Sequence, residues 1–308
     1  MALRVVRVTA PAKLNLGLAV LGKRPDGYHD LLTIFQAIDL ADTLTFRHRA
    51  HGITLTVNGD PSLPKGPENL IVRAATLFAH ALGVTEGAEI VLAKRIPTGA
   101  GLGGGSSDAA ATLLGLEALW GVTPDPVLQR RLALELGSDV PFFLAGGTAR
   151  GEGRGERLTP LPSPPEAGWL LAVPEFRCST REVFENLPSG LTGSIQKLRM
   201  LEDAILNGDL EAFARHIVND LEPGVVRMQP RLARIREALQ RLGAMAVGLT
   251  GSGSAMFALF RSQGDIARLL DAGSVLEGAR VCACAPVDFG ARVVTEDDDH
   301  RHPDPARG

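Results

Sequence analysis

A glycine-rich stretch, IPTGAGLGGGSSDAAA at 96–111, limits what this chain can fold into more than any other feature. It follows a short alternating segment at 89–96, typical of a β-strand, and precedes apolar residues at helical spacing that run to Trp120 and Gly121. A strand, a bare loop and a helix start bring backbone N–H groups and the positive end of a helix dipole together, which suits a phosphate group. Glycine is required because any side chain would hold the anion away from the backbone. The stretch therefore predicts a phosphate-binding loop between a strand and a helix.

Two familiar nucleotide-binding patterns can be tested against this loop. The Walker A pattern needs a lysine followed by serine or threonine directly after the last glycine. Here Ser106 and Ser107 follow the glycines, and no lysine lies between Lys94 and Lys197. The loop is therefore not a Walker A motif.

The dinucleotide-binding pattern G-x-G-x-x-G is matched by residues 99–104. The acidic residue expected about 20 positions later is missing, because Asp125 lies in a Thr-Pro-Asp-Pro turn. Lys94, Arg95 and Pro97 also interrupt the strand that should be buried before the loop. We rank nucleoside triphosphate binding well above dinucleotide binding, with a purely structural glycine-rich turn between the two.

Length and charge exclude several classes of protein. At 308 residues the chain exceeds the usual size of one core, so two domains are expected, with one large α/β domain as the alternative. A formal charge of −3 argues against a general affinity for nucleic acid. No apolar run is long enough to cross a bilayer, and the start MALRVVRV lacks the features of a signal peptide, so we expect a cytoplasmic protein without membrane contact. Three cysteines are too few for a disulfide framework.

Hydrophobic periodicity divides the chain near a proline-rich stretch. Residues 70–82 have the apolar spacing of a helix that Gly83 would end. The stretch TPLPSPPEAG at 159–168 cannot continue a helix or the interior of a sheet, and the domain boundary is placed near it. The last residues, 296–308, hold almost no apolar side chain and are predicted to form a disordered tail. Beyond the boundary the pattern predicts helices near 195–206, 209–219 and 229–242, and strands at 169–173, 255–260 and 280–287.

Three motifs, in order along the chain, resemble those of the GHMP small-molecule kinases. The loop PTGAGLGGGSSDA at 97–109 is similar to the family's phosphate loop, APAKLNL at 10–16 to its first motif and LTGSGSAMF at 249–257 to its third. Within this family, segments 11–40 and 136–147 resemble the branch that acts on a cytidine-diphosphate alcohol of the non-mevalonate isoprenoid pathway. Homoserine, mevalonate and galactose kinases share the loops but not the Gly-Tyr-His segment.

The resemblance implies a fold and an activity. The expected fold is an α+β two-domain GHMP kinase, with a ribosomal protein S5 domain 2-like domain at 1–162, a ferredoxin-like domain at 163–295 and the tail at 296–308. The implied reaction is phosphorylation of the 2-hydroxyl of 4-diphosphocytidyl-2-C-methyl-D-erythritol with ATP and Mg²⁺, in the cleft between the domains of a monomer or weak homodimer. The alternatives are another GHMP kinase, of the homoserine, mevalonate or sugar type, and a non-catalytic nucleotide-binding module.

Two residues are expected to carry the chemistry. Phosphoryl transfer to an alcohol needs alignment, charge neutralisation and a carboxylate that accepts the hydroxyl proton. Asp139 is the candidate base, although Ser138-Asp139-Val-Pro141 is also typical of a helix N-cap with proline in the first turn. The residues leave both roles open, and the resemblance favours catalysis. Lys13, one of five lysines in the chain, is expected to keep Asp139 ionised, the alternative being a strand residue whose amine reaches water.

The resemblance places the acceptor substrate on four residues. Asn15 shares the strand face of Lys13 and is expected to fix hydroxyl groups of the substrate. Tyr28, the only tyrosine, follows the turn Arg24-Pro-Asp-Gly27, where a surface position makes its ring available to a ligand. In the resembling family this tyrosine stacks on cytosine, His29 binds the polar edge of the base, and Phe184 would stack from the other side.

The resemblance also places ATP and Mg²⁺. Asn69 matches a position near the adenine, although it is equally suited to cap the helix that follows. Ser107 is expected to offer its hydroxyl to the metal ion, with Ser106 or Asp108 as alternatives. A second glycine loop at 251–254 would close over the phosphates or simply form a tight turn. The residues expected to hold ATP in the first loop are Pro97, Gly99, Gly101, Leu102, Gly103, Gly104, Gly105, Ser106 and Ser107.

Overall fold

A computed structural model describes residues 5–187, 194–271, 276 and 278–294. The strands are β1 Val5–Lys23, β2 His29–Arg49, β3 Ile53–Asn58, β4 Gly87–Ala93, β5 Thr148–Gly153, β6 Arg157–Leu161, β7 Gly168–Pro174, β8 Val218–Asn219, β9 Ala246–Leu249, β10 Met256–Phe260, β11 Ala279–Cys284 and β12 Arg292–Val293. The helices are α1 Leu70–Leu82, α2 Gly104–Trp120, α3 Pro126–Leu136, α4 Val140–Ala145, α5 Thr180–Glu185, α6 Ser194–Asn207, α7 Leu210–His216, α8 Glu222–Met228, α9 Arg231–Arg241 and α10 Gln263–Asp271.

The first sheet is built on a long antiparallel hairpin of β1 and β2. Its main path runs β12-β1-β2-β4-β3, with β5 and β6 attached to β2 and the short β8 attached to β1. Strands β3 and β4 are parallel because α1 carries the chain back between them. Helices α1 to α4 bury their apolar faces on one side of this sheet. A cavity is lined by residues from the middle of β1 to its C-terminal end and from the start of β2, which the long hairpin holds side by side.

Helix α1 confirms the helix predicted at 70–82. Asn69 caps it, since its side-chain oxygen accepts a hydrogen bond from the backbone N–H of Ile71. Gly83 ends it in the left-handed conformation, with φ of 65°. The predicted helix ending at Trp120 is confirmed as α2, and Gly121 ends it in the same way, with φ of 66°. These boundaries follow from local residues alone.

The second sheet has four antiparallel strands in the order β11-β7-β10-β9. Numbered along the chain, that order is 4-1-3-2, the arrangement of the ferredoxin-like fold. Its apolar core lies against α8, α9 and α10 on one face, and a separate core joins its other face to β1, α6 and α7. The two sheets are therefore tied together by apolar packing as well as by the chain.

The proline-rich stretch lies between the two sheets. Pro160 is tolerated in β6 because that strand is at an edge and pairs only with β5 among the described strands. The second sheet begins with β7 at Gly168. Strands β8 and β12 return to the first sheet, so a division into domains at 162/163 stays a prediction. The predicted tail at 296–308 lies outside the described residues.

Several elements differ from the periodicity. The strand expected at 89–96 ends at Ala93, because the Asp42 carboxylate takes the N–H groups of Arg95 and Ile96. The helix expected at 209–219 ends at His216, and Val218 and Asn219 pair with β1 instead. Helices α3, α5, α8 and α10 were not predicted. The start of α4 was foreseen only as the alternative role of Asp139, as a helix N-cap. Helices α4, α5 and α8 have six or seven residues, too few turns for a helical period to be recognised. Within the described ranges, no helix combines the length and the apolar character needed to cross a bilayer.

Candidate active site

One cavity of about 1350 Å³ collects most of the predicted site residues. It is bounded by β1 and β2, by the loop before α2, by the start of α4 and by α5. Among the residues that line it are Lys13, Asn15, Tyr28, His29, Asn69, Asp139 and Phe184, together with the loop from Pro97 to Ser106. The fold thus brings residues from distant parts of the chain around one space.

The glycine-rich loop exposes backbone to this cavity. Gly99, Gly101 and Gly103 have φ angles of 72°, 80° and 73°, a conformation that side chains disfavour. Gly103 is the N-cap residue of α2 and offers no side-chain oxygen to the first turn. The N–H groups at the start of α2 are thus left for a ligand, as the sequence predicted for an anion site.

The paired serines of the loop face opposite ways. Ser107 is fully buried, and its hydroxyl donates a hydrogen bond of 2.7 Å to the carbonyl oxygen of Pro11. Ser106 and Asp108 line the cavity, whereas Ser107 is not among its lining residues. Ser107, the predicted metal ligand, therefore uses its hydroxyl to hold α2 against β1. Ser106 is the serine that a ligand in the cavity would meet.

The amine of Lys13 is buried beneath the loop. Its Nζ donates to Asn15 Oδ1 at 2.5 Å and to the Gly101 carbonyl oxygen at 2.8 Å. Burial lowers the pKa of Lys13 below its usual 10.5, and the carboxylate of Asp139 acts in the opposite sense. Asn15 donates in turn to Thr33 Oγ1 at 2.8 Å. The prediction that Lys13 and Asn15 share one face of the strand is confirmed, and the alternative of a water-exposed amine is not supported.

Asp139 stands at the N-cap position of α4, but its side chain makes no capping hydrogen bond. Its backbone is helical, with φ −84° and ψ −14°, whereas a capping residue is normally extended. Within the described part of the chain, its carboxylate forms no hydrogen bond or ion pair shorter than 4.0 Å, and it lines the cavity beside Lys13. The carboxylate is therefore free to accept a proton from a ligand.

Aromatic side chains gather at the other end of the cavity. Tyr28 is 55% exposed, as its position after a surface turn predicted. The rings of His29 and Phe184 stack with centroids 5.0 Å apart, so Phe184 contacts the histidine directly. Burial, together with Lys23, lowers the pKa of His29, which favours a neutral ring with one donor and one acceptor nitrogen. This end can hold a flat, polar-edged group.

A buried charge cluster supports the loop from below, and sequence reasoning missed it. Lys94 Nζ lies 2.6 Å from Asp42 Oδ2 and 2.8 Å from Asp108 Oδ2, and all three side chains are at most 5% exposed. Burial raises the pKa of Asp108 to about 8, although Lys94 acts against that shift. The only signal in the sequence is a lysine kept beside the loop in a chain that strongly favours arginine.

The loop at 251–254 is held in place from two sides. Asn219 Nδ2 donates to the carbonyl oxygens of Leu249 and Gly251, both at 2.8 Å. The hydroxyls of Ser252 and Thr180 lie 2.8 Å apart and join the loop to the start of α5. Gly251 and Ser252 line the cavity, so the loop borders the site, and its closure over the phosphates stays a prediction.

Comparison with known proteins agrees with this geometry. The family model described as GHMP kinases N terminal domain matches residues 69–147, and GHMP kinases C terminal matches 201–274. A curated 4-diphosphocytidyl-2-C-methyl-D-erythritol kinase from Pelotomaculum thermopropionicum is 47% identical over 83% of this chain and 89% of its own length. One from Solibacter usitatus is 43% identical over 87% of this chain and 85% of its own length. The chain belongs to the 4-diphosphocytidyl-2-C-methyl-D-erythritol kinase family.

Solved structures give the same family and the wider fold. The crystal structure of a 4-(cytidine 5'-diphospho)-2C-methyl-D-erythritol kinase superposes with a TM-score of 0.76 at 37% identity, covering 91% of this chain and 98% of the other. A homoserine kinase from Cytophaga hutchinsonii reaches a TM-score of 0.77 at 22% identity, covering 94% and 97%, which shows the shared fold alone. The α+β GHMP kinase fold predicted from the sequence is confirmed, and ATP is the co-substrate that a kinase family implies.

Proposed function

We propose that the chain transfers the terminal phosphoryl group of ATP to the 2-hydroxyl of 4-diphosphocytidyl-2-C-methyl-D-erythritol, in the non-mevalonate isoprenoid pathway. The observation that carries this proposal is the single cavity in which Lys13 and Asp139 lie between an anion-binding loop and an aromatic pocket. The names of the curated relatives at 47% and 43% identity support the same substrate.

The chemistry follows from the opposite charges of Lys13 and Asp139, which line the cavity together. Asp139 would accept the proton of the attacking hydroxyl, because its carboxylate lines the cavity beside Lys13 and is not used to cap α4. Lys13, fixed by Asn15 and the Gly101 carbonyl, would favour negative charge on the acceptor oxygen. The N–H groups at the start of α2 would hold the phosphates in line with that oxygen. Most of the rate enhancement then comes from alignment and electrostatics.

Mg²⁺ fits the residues at the start of α2. Magnesium sites in kinases normally use one or two protein oxygens together with substrate phosphates, and the bound ion neutralises charge during transfer. Ser106 lines the cavity, and Asp108 Oδ1 is a buried carboxylate oxygen with no hydrogen-bond partner among the described residues. Asp108 is already paired with Lys94 through its other oxygen and its side chain is only 5% exposed, so the Ser106 hydroxyl is the more accessible of the two ligands. Ser106 is therefore the ligand that we propose first.

Each end of the cavity would hold one substrate. Tyr28 and the stacked pair of His29 and Phe184 would bind cytosine, with the rings providing the stacking surface and His29 meeting the polar edge of the base. Asn69 already caps α1 with its oxygen and donates to the Pro64 carbonyl oxygen at 2.7 Å. Asn69 would therefore contribute to the adenine end in two ways, by fixing the backbone of Pro64 and the start of α1 and by direct contact with the base.

A coupled assay of ADP release tests the function. The protein, ATP and Mg²⁺ are supplied in turn with 4-diphosphocytidyl-2-C-methyl-D-erythritol, homoserine, mevalonate and galactose. We expect release with the first acceptor alone. Preferred release with one of the other three would assign another GHMP activity, and ATP binding without release for any acceptor would indicate a non-catalytic nucleotide-binding module. The cytoplasmic location and the monomeric or weakly dimeric state stay predictions, which size-exclusion chromatography and cell fractionation would test.

A further inference from the structure

The turn between β5 and β6 carries an arginine into the cavity. The guanidinium carbon of Arg154 lies 4.9 Å from the centroid of the Tyr28 ring. Gly153 and Gly155, on either side, have φ of 73° and 102°, so the turn is shaped by residues that tolerate the left-handed region. Nothing in the sequence singled out this arginine, which is one of many in the chain.

Arg154 has no carboxylate partner among the described residues. Of the other cations lining the cavity, Lys94 is paired with two carboxylates, Arg181 lies 3.0 Å from Glu185, and Lys13 faces Asp139. Lys23 also lines the cavity, and its charge acts on His29. The Arg154 guanidinium forms no ion pair or hydrogen bond with any side chain in the described residues. The charge of Arg154 acts on the Asp26 carboxylate only at long range, and Asp26 is already paired with Arg24. A positive charge placed without a partner in a ligand cavity favours an anionic ligand.

The position of the turn defines which part of a ligand this charge would meet. A Cβ atom built on Gly155 would lie 4.0 Å from Asp139 Oδ1, so the residue after Arg154 approaches the proposed catalytic carboxylate. Arg154 itself covers Tyr28, in the proposed cytosine pocket. The cation therefore stands between the base-binding end and the reacting end of the acceptor site.

We propose that Arg154 binds the diphosphate of the acceptor substrate and selects a nucleoside diphosphate over an uncharged nucleoside. This inference rests on the proposed function, because in that substrate the diphosphate joins the cytidine to the alcohol that reacts. A guanidinium offers parallel N–H donors that match phosphate oxygens, and its flat face can remain on the Tyr28 ring while its edge binds the anion. Lys23, also in the cavity lining, is a point charge nearer to His29 and lacks both features.

Binding of two probes separates the diphosphate contact from stacking. Affinities for CDP and for cytidine are measured by calorimetry with the ATP end filled by a non-hydrolysable ATP analogue, which keeps CDP out of the glycine-rich loop. Arg154→Met should weaken CDP by roughly ten- to a hundred-fold, the range of a hydrogen bond to a charged group. Cytidine should weaken by less than about five-fold, the share of an exposed cation–π contact. Arg157→Met, an exposed change on β6 outside the cavity lining, is the matched control and should alter neither affinity.

Two further variants make the test decisive. Arg154→Lys keeps the charge but loses the parallel donors and the flat face, so it should retain only part of the preference for CDP. Tyr28→Ala should weaken both probes. Equal losses of CDP and cytidine in Arg154→Met, or no loss of either, would overturn the assignment. Failure of the ADP-release assay in the wild-type protein would instead count against the proposed function, since the binding measurements need no turnover.

Discussion

At the scale of single residues, Asp139 occupies the N-cap position of a helix without acting as a cap. It stands where a helix N-cap belongs, with proline in the first turn, yet its backbone is helical and its carboxylate caps nothing. Asp125 has the same setting before α3 and does cap, accepting from the N–H groups of Val127 and Leu128. The two aspartates are therefore a matched pair in which one is structural and the other is available for chemistry.

We expect Asp139→Asn to lower kcat roughly 10²- to 10⁴-fold, because the amide keeps the size of the side chain but cannot accept the proton. ATP affinity should hardly change. Stability gives the control: Asp125→Ala should cost about 1 kcal/mol of unfolding free energy through its lost cap, and Asp139→Ala should cost much less. Normal turnover in Asp139→Asn, or equal losses of stability in the two alanine variants, would return Asp139 to a capping role.

At the scale of elements, the glycines of the glycine-rich loop serve different purposes: some are required by close packing, and others keep the backbone open to the cavity. A Cβ atom at Gly103 would meet the Phe143 ring at 2.6 Å, and one at Gly104 would meet Ile96 at 2.9 Å. Substitution of either would disturb packing before it affected a ligand. A Cβ atom at Gly105 would approach nothing closer than Leu70 Cδ1 at 3.5 Å, and Gly105 lines the cavity. Gly105 is therefore the position where added bulk reports on the phosphate site alone.

Gly105→Val should fold normally and weaken ATP binding by at least about ten-fold, since the branched side chain would keep phosphates from the N–H groups of α2. Gly264→Val is the matched control, because Gly264 is also the second residue of a helix, α10, and has only Ser262 Oγ nearby at 3.6 Å. Calorimetry with ATP and thermal melts would be run on both variants. Unchanged ATP affinity in Gly105→Val would show that the loop is a structural turn.

At the scale of the whole molecule, the cluster of Asp42, Lys94 and Asp108 joins β2, the end of β4 and α2 in the interior. Lys94→Met leaves Asp42 and Asp108 buried without their cation, so we expect a loss of about 3 to 5 kcal/mol in the free energy of unfolding measured with urea. Lys65→Met, at an exposed site, should change it by less than about 0.5 kcal/mol. Adding Asp108→Asn to Lys94→Met should recover part of the loss, because it removes one of the two buried carboxyl groups left without a cation. A neutral Lys94→Met would mean that the cluster does not hold the loop.

The sequence by itself determined the features that depend on neighbouring residues. Helix α1 between Asn69 and Gly83, the glycine-rich loop before α2 and the shared strand face of Lys13 and Asn15 all follow from local conformational preference and periodicity. The motifs also indicated the family, since three of them occur in order. The cytosine and catalytic roles drawn from that resemblance stay predictions.

Only the tertiary structure decided which charges are buried and which remain free. A charged residue in a sequence looks solvated, so nothing predicted that Lys94 would be enclosed by two aspartates, that Ser107 would turn to Pro11, or that Arg154 would enter the cavity unpaired. Burial and pairing depend on contacts between segments far apart in the chain, and periodicity carries no information about those contacts. The distances between the anion loop, Asp139 and Tyr28 are fixed in the same way, by the packing of two sheets around one cavity.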